Sequence, residues 1–349
     1  MNKAILEQDF NYIFSKAIPW KKLTNKTILI TGANGFLSSY IVELLLYGND
    51  KNIIKTNIIG IARNRERANT RFAQYTKRGD LKILIHDVSK PLKLKEKVDF
   101  IIHAASQASP TYYSTDPVGT FTANTLGTYY LLDFAKNQSL ESFLFISAGE
   151  IYGIQKNAQK TDEHSYGYVD PIDTRSIYAE SKRMGETMCI AYNKQFKIPA
   201  KIARLYHTYG PGFRLDDGRV FADFVKNLLN NEDIIMKSDG SAIRSFCYIA
   251  DTTTGLFTIL LKGTNGEAYN VANDKAILSI KELAERLIRL FPKKKLKVLR
   301  KTRKKSDKYM QSKIQVNNPS IAKLKSLGFQ PHFSIEQGFL RTVQSFQKT

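Results

Sequence analysis

Apolar positions recur at near-helical spacing at the start of the chain, where Ile5, Phe10, Ile13 and Phe14 precede the interruption at Pro19. Residues up to about Thr24 are therefore expected to form an amphipathic helical extension packed on the main body. From Thr27 the pattern changes to short apolar runs, at residues 28–30, 58–62, 81–85, 100–102, 143–146 and 202–205, separated by longer stretches of helical periodicity. Repeated strand-helix-strand units forming a parallel sheet produce this alternation. Each run is apolar along nearly its whole length, which predicts strands buried on both faces. After Leu205 the regularity weakens. Helices are expected from about Val220 and Thr252, with two more near the end, and Ser279 with Glu282 and Ser334 with Gln337 have the spacing of capping boxes. The expected organisation is an N-terminal helical extension over 1–25, a sheet domain over 26–205, and a smaller mixed domain over 206–349. Segments near 246–275 are candidates to pack back on the sheet. No internal repeat or low-complexity linker separates the parts, so the second domain reads as a lid-like elaboration of the first.

Composition sets bounds on this picture. A chain of 349 residues with 42% hydrophobic content can bury a full core. No stretch approaches the roughly 18 to 20 apolar residues a spanning helix needs, and the N-terminus lacks the layout of a signal peptide, so a cytoplasmic address is expected. Cys189 and Cys247 have no neighbouring His or second Cys, which argues for inert core thiols and against a metal site or disulfide framework. The formal net charge of +21 is spread along the chain, with one dense cluster from Lys293 to Lys305. Without an RNP, zinc-finger or basic-helix pattern, this charge reads as solvated lysine with a minor share steering an acidic small molecule, and neither nucleic acid nor a membrane is expected as partner.

The chemistry begins at residues 31–38, TGANGFLS, which follow the first run and open a helical pattern. Gly32 suits a tight turn and Gly35 a close backbone approach to a diphosphate, with Asn34, Phe36 and Leu37 completing the turn into a helix whose N-terminus faces the phosphates. This is the start of a Rossmann-type, doubly wound α/β sheet. Asp87 and Val88 close the third strand, and His103, Ala104 and Ala105 the fourth, at the carboxyl ends where dinucleotides lie. The second strand ends at Ala62 and Arg63 instead of the acidic residue usual for NAD. Arg63, with Arg65 or Arg67, keeps NADP open as an alternative to NAD. Further on, Tyr178 and Lys182 lie one turn apart on one helical face, and a nearby ammonium favours the tyrosinate that could take a proton from a sugar hydroxyl while hydride leaves the same carbon.

With these residues in place, the chain resembles an extended short-chain dehydrogenase/reductase of the NAD-dependent epimerase/dehydratase family, closest to the UDP-glucuronate decarboxylase group. The resemblance runs from Lys26 to the end and is carried by TGANGFLS, HAASQASP (103–110), ISAGEIYG (146–153), YAESKRMGETMCIAY (178–192), ARLYHTYGPG (203–212), DDGRVFADF (216–224) and SAIRSFCYIAD (241–251). It implies Tyr178 and Lys182 as the catalytic pair with Glu150 beside them, and Ser147 on the cofactor side. It further implies Ser106, Glu150, His207, Arg219, Val220 and Arg244 around a nucleotide-diphosphate sugar, no metal, and a homodimer paired through helices from about Val118 and Thr174. Arginines suit diphosphate oxygens because their planar fork donates paired, charge-assisted hydrogen bonds.

Four departures bear on the reaction. Ala148 stands where the family usually has Ser or Thr, which leaves its hydrogen bond to Ser147 or a water. Gly149 stands where dTDP-glucose 4,6-dehydratases carry an Asp. His207 replaces an asparagine near the substrate phosphate. Where decarboxylases have an Arg-x-Pro motif, residues 314–319 read IQVNNP, with only Lys313 nearby. An unpaired carboxylate out of water is costly, which counts against decarboxylation. The expectation is oxidation at C4 with bound NAD(P), followed by a dehydratase- or epimerase-type step at Glu150. The alternatives are decarboxylation, C4 oxidation or epimerisation alone, and a nucleotide-sugar-binding protein with weakened catalysis.

Overall fold

The computed structural model describes residues 2–155, 160–301 and 312–347; of the basic cluster from Lys293 to Lys305, residues 302–305 lie outside these. The chain opens with α1 (Lys3–Phe14). It then runs through β1 (Lys26–Thr31), α2 (Phe36–Asp50), β2 (Thr56–Ala62), α3 (Arg65–Phe72), β3 (Leu81–Ile85), β4 (Phe100–His103), α4 (Pro110–Thr115), α5 (Pro117–Asn124) and α6 (Leu126–Ala135). β5 (Ser142–Ala148), α7 (Ile177–Phe196) and β6 (Ala200–Leu205) follow. The remainder comprises β7 (His207–Tyr209), α8 (Val220–Leu229), β8 (Ile234–Met236), β9 (Ile243–Tyr248), α9 (Ile249–Lys262), β10 (Ala268–Val271), β11 (Ile277–Ser279), α10 (Ile280–Leu290), β12 (Val298–Arg300), α11 (Ala322–Ser326) and α12 (Ile335–Phe346).

All six apolar runs are strands. Among the described residues they form a seven-stranded sheet in the order β10-β6-β5-β4-β1-β2-β3, and each neighbouring pair is parallel. Alternate residues feed two different cores. Ile28, Ile30, Ile58, Phe100, Ile102 and Leu144 pack on one side, and Leu29, Ile59, Ile61, Ile101, Phe143 and Phe145 on the other. A strand covered on both faces has no polar alternation, which is why the runs are continuous. The seventh strand, β10, comes from late in the chain, after α9, and pairs with β6. The strand order reverses between β1 and β4, which opens a crevice at their carboxyl ends.

The smaller part holds a mixed sheet β11-β9-β7 and a two-stranded piece β12-β8. The capping box at Ser334 and Gln337 is complete. At Ser279 only half of the expected box forms: its hydroxyl accepts from the Glu282 N–H, while the Glu282 carboxylate is drawn to Arg286 one turn along. The helix expected from about Thr252 starts at Ile249, directly after β9.

The N-terminal helix is tied in by buried acids. Asp9, 0% exposed on α1, accepts from the hydroxyls of Tyr40 (α2) and Tyr248 (β9) and from Arg341 (α12), at 3.1, 2.7 and 2.6 Å. Asp251 on α9 accepts from the Tyr12 hydroxyl and from the His332 and Phe333 amides, and burial pushes its carboxyl up to about 6. Removing one member of a buried charged cluster strands the others. Asp9→Ala should therefore lower unfolding stability by about 3 to 5 kcal/mol in urea titrations, with the native circular dichroism retained. A loss below about 1 kcal/mol would mean that the cluster does not anchor α1.

Candidate active site

The β1–α2 turn is shaped by contact with the β4 loop. Gly32 has φ +65°, and a Cβ there would lie 2.9 Å from the Ala105 Cα. The Thr31 hydroxyl accepts from the Ala104 and Ala105 amides at 3.1 and 3.0 Å and lies 2.8 Å from His103 Nδ1. With two donors already on that oxygen, its own proton goes to Nδ1, which assigns the neutral Nε2–H tautomer and lets Nε2 donate to Thr128. Burial, aided by Lys182, pushes the His103 pKa down to about 3, in keeping with this tautomer. Helix α2 begins at Gly35 with no side-chain cap, so after Asn34 the first-turn amides of Phe36 and Leu37 have no capping oxygen from the chain. Ser38 turns its hydroxyl back to the Thr31 carbonyl. Such a cradle of close glycine backbone and uncapped helix amides fits a dinucleotide diphosphate.

At the rim, Asp87 accepts from the Ser89 amide and hydroxyl. Burial opposes ionisation there, but the Ser89 donors and the nearby Arg63 hold the carboxyl below its usual range. Val88 packs beneath, in contact range of Gly127.

Helix α7 presents Tyr178, Lys182 and Glu186 on its buried face, at i, i+4 and i+8. Glu186 forms a buried pair with Arg204 of β6 at 2.7 Å and accepts from the Ser147 hydroxyl. Ser147 therefore points at the ion pair, and the expectation that it could replace the hydroxyl missing at Ala148 is corrected: adjacent strand residues face opposite sides of the sheet. Lys182, 2% exposed, donates to the Ile146 carbonyl at 2.7 Å, and its Nζ lies 5.8 Å from the Tyr178 ring centroid. Burial pushes Lys182 down to about 7. Burial, reinforced by Glu150, pushes the Tyr178 phenol well up, opposed by Arg219, Arg175 and Ser106. In the protein alone the lysine does not hold Tyr178 as tyrosinate.

Two residues that no motif marked complete this corner. Tyr113 of α4 stacks on Tyr178 at 5.1 Å. Arg175 lies over the Tyr113 ring and holds Glu150 through two hydrogen bonds of 2.7 and 3.2 Å. The only local signal for Arg175 is a basic residue one turn before Tyr178. Gly149 is explained by packing, because a Cβ there would meet the Tyr206 ring at 2.8 Å.

The smaller part supplies the other wall. His207 on β7 is near Arg244 and Arg219; burial, helped by both, pushes it down to about 3, so the imidazole is neutral. Its Nδ1 is buried without a hydrogen-bond partner among the described residues. Arg219 stands at the N-cap position of α8, just before Val220, without a side-chain capping bond, and pairs with Asp217. Arg244 donates to the carbonyls of Ile243, Gln315 and Ile314, so it also ties down the segment where the carboxylate-reading arginine is missing. Lys313 does not take that arginine's place: it is 62% exposed and paired with Asp173 at 2.7 Å. Both cysteines are buried and free. Among the described residues there is no metal-ligand cluster and no helix long and apolar enough to cross a membrane.

The shift at Lys182 has a stability consequence. Between about pH 7 and the unfolded value of 10.5, the unfolded chain holds a proton that the folded chain lacks, so this residue makes stability rise with pH across that window. Lys182→Met should raise the thermal midpoint at pH 8 by about 2 °C or more while cutting turnover at least about 100-fold. An unchanged or lower midpoint would contradict a destabilising buried lysine.

The chain matches the model of the NAD dependent epimerase/dehydratase family over residues 28–272. It is 33% identical over 328 residues to UDP-glucuronic acid decarboxylase 6 of Arabidopsis thaliana, covering 93% of this chain and 90% of the relative. UDP-glucose 4-epimerase of Thermotoga maritima superposes with a TM-score of 0.76 at 20% identity, over 92% of this chain and 98% of that one. UDP-glucuronic acid 4-epimerase of Bacillus cereus, solved with UDP-glucuronic acid and NAD, gives 0.73 at 22%, over 91% and 98%. The two solved structures share the fold, and the family match spans the sheet, the Gly32 turn and the Tyr178–Lys182 helix. The chain belongs to the NAD dependent epimerase/dehydratase family.

Proposed function

We propose that the chain is a nucleotide-sugar enzyme that oxidises its sugar at C4 with bound NAD and then moves a proton at a neighbouring carbon through Glu150. The observation that carries this reading is the grouping of Tyr178, Glu150 and Arg175 at the head of the helix that carries Lys182, in a fold whose first sheet-to-helix turn leaves α2 uncapped. The residues for the dinucleotide are Gly32, Asn34, Gly35, Phe36 and Leu37 at its diphosphate, Arg63, Asp87 and Val88 towards its adenosine end, and Ala104, Ala105, Tyr178 and Lys182 towards the nicotinamide. Arg63 helps hold both Asp87 and Asp116 low, and a 2′-phosphate would meet those two carboxylates, which favours NAD over NADP. The bound NAD supplies the hydride acceptor. With the positive charge of bound NAD beside it favouring tyrosinate, Tyr178 would take the proton of the C4 hydroxyl. Glu150, positioned by Arg175, then removes a proton next to the ketone, and Arg219, Arg244 and the neutral His207 line the diphosphate side. Elimination needs an acid for the departing group, and the Tyr206 ring leaves no room for a side chain at 149, so an epimerase-type outcome is favoured over dehydration.

A second reading, decarboxylation, draws on the 33% identical plant relative and on Arg175 as a cation beside the sugar. One experiment separates these readings: UDP-glucose and UDP-glucuronate are offered with NAD in deuterated water, and reduced cofactor, carbon dioxide and sugar label are followed. Wild type should label the sugar next to C4. Tyr178→Phe should reduce cofactor at least about 100-fold more slowly with NAD affinity within about threefold. Glu150→Gln should accumulate reduced cofactor without label. Carbon dioxide release would establish the second reading, and label-free turnover would leave C4 oxidation or epimerisation alone.

The same reading includes a homodimer. Val118 and Phe121 on α5, Leu126 and Tyr129 on α6, and Met184, Ile190 and Phe196 on α7 are exposed apolar side chains on helices packed against one another. Sedimentation should give a dimer for wild type and a monomer for Phe121→Glu/Ile190→Glu; a monomeric wild type would refute it.

A further inference from the structure

Proton removal from a sugar hydroxyl by a buried phenol is helped by a second hydroxyl that shares the hydrogen bond and fixes the reacting oxygen. Strand β5 cannot provide one, since it ends in Ala148, whose methyl packs in a small buried cluster with Tyr113 and Tyr178. Among the described residues, other hydroxyls on the elements that build the site are committed. Ser147 donates to Glu186, Tyr113 to the Ala108 carbonyl, Ser181 to the Tyr178 carbonyl, and Ser109 to the Asp217 carbonyl. Ser106 differs. Its Oγ is buried and completes no hydrogen bond of ordinary geometry among the described residues, yet it lies close enough to the Tyr178 phenol to lower its pKa. Its loop is fixed just upstream, where the Ala104 and Ala105 amides are held by Thr31. A buried hydroxyl without a partner is costly, and such groups are kept where a ligand completes them.

We propose that Ser106, from the loop after β4, hydrogen-bonds the reacting sugar hydroxyl beside the Tyr178 phenol and so takes the place that Ala148 leaves empty. This rests on the C4-oxidation reading above and deepens it. Ser106 keeps its own proton throughout: the sugar O–H proton passes to Tyr178 in its tyrosinate form, the C–H hydride to the nicotinamide, and a ketone remains. Its hydroxyl donates to the sugar oxygen as negative charge builds there. Ser106 is thus a catalytic residue that touches substrate, supplied by the β4 loop.

The test uses the holoenzyme with NAD and UDP-glucose or UDP-glucuronate, following the single-turnover rate of cofactor reduction. Ser106→Ala should slow that step about 30- to 100-fold with NAD affinity within about threefold, and should move the ascending, acid-side limb of its pH profile to higher pH. Ser106→Ala/Ala148→Ser, which returns a hydroxyl to the end of β5, should recover at least about tenfold of the lost rate. A purely structural serine would give neither the pH shift nor the rescue. A second readout needs no sugar: the tyrosinate absorbance that disappears in Tyr178→Phe should titrate at higher pH in Ser106→Ala. Should neither sugar reduce the cofactor, the C4-oxidation reading fails while the titration still decides whether Ser106 acts on the phenol. A Ser106→Ala rate within threefold of wild type, or an unmoved Tyr178 titration, overturns the proposal.

Discussion

The buried pair of Arg204 and Glu186 fixes how helix α7 sits on the sheet, and the site depends on that rotation. Both side chains are nearly out of water, at 2% and 8% exposure, which is expensive unless every hydrogen-bonding position is used. Here they are used: Arg204 also donates to the Tyr152 and Tyr166 hydroxyls and the Glu163 carbonyl, and Glu186 also accepts from Ser147. An arrangement this constrained has one geometry, and its worth lies more in positioning than in stability. With Glu186 held, the residues one and two turns earlier on the same face are held as well. Lys182 is brought onto the Ile146 carbonyl and Tyr178 onto the Tyr113 ring.

The opposite wall is built from short strands and loops, so its residues are positioned by hydrogen bonds instead of by a shared core. Arg244 grips three carbonyls and Arg219 is steadied by Asp217 where α8 begins, while on the Tyr178 side Arg175 clamps Glu150 from the segment leading into α7. Each arginine is oriented by partners within the chain, so an anion meeting Arg219 and Arg244 would find them already ordered. Gly149 shows the limit of this economy: the Tyr206 ring occupies the space of a side chain there, so further acid chemistry would have to come from another element.

The sheet was legible because both of its faces are largely covered, which leaves the runs of β1 to β6 apolar along nearly their whole length, with Lys82 in β3 and Arg204 in β6 as exceptions. The turn at Gly32 and the Tyr178–Lys182 spacing were legible because each is local in sequence. What escaped depends on contacts across the chain. Tyr113 and Arg175 carry no local signal, since their meaning comes from a ring 65 residues away and a carboxylate 25 away. Strand β10 is four residues long and becomes a strand only beside β6. The side of β5 that Ser147 faces could be inferred from strand alternation, but only once the location of Glu186 was known. The half-formed cap at Ser279 shows the same competition locally, because Glu282 had a better partner in Arg286.

The electrostatics of the crevice follow from how dry it is. In the protein alone, burial leaves His103 and His207 neutral, pushes Lys182 down to about 7 and pushes the Tyr178 phenol up, so the fixed charge at this corner is that of the Glu150–Arg175 pair. The formal charge of +21 resides mainly on exposed lysines, where solvent screens it over about 8 to 10 Å. Such a field can raise the encounter rate with a doubly negative nucleotide sugar but cannot distinguish one sugar from another. Selectivity therefore has to arise inside the dry region, where a hydroxyl or carboxylate left without its partner is costly. The polar contacts available there are few: Glu150 with Arg175, the Ser106 hydroxyl, and the Tyr178 phenol. On the proposed reading, a sugar is accepted when its own groups satisfy those positions, and it is excluded when they leave one of them unpaired.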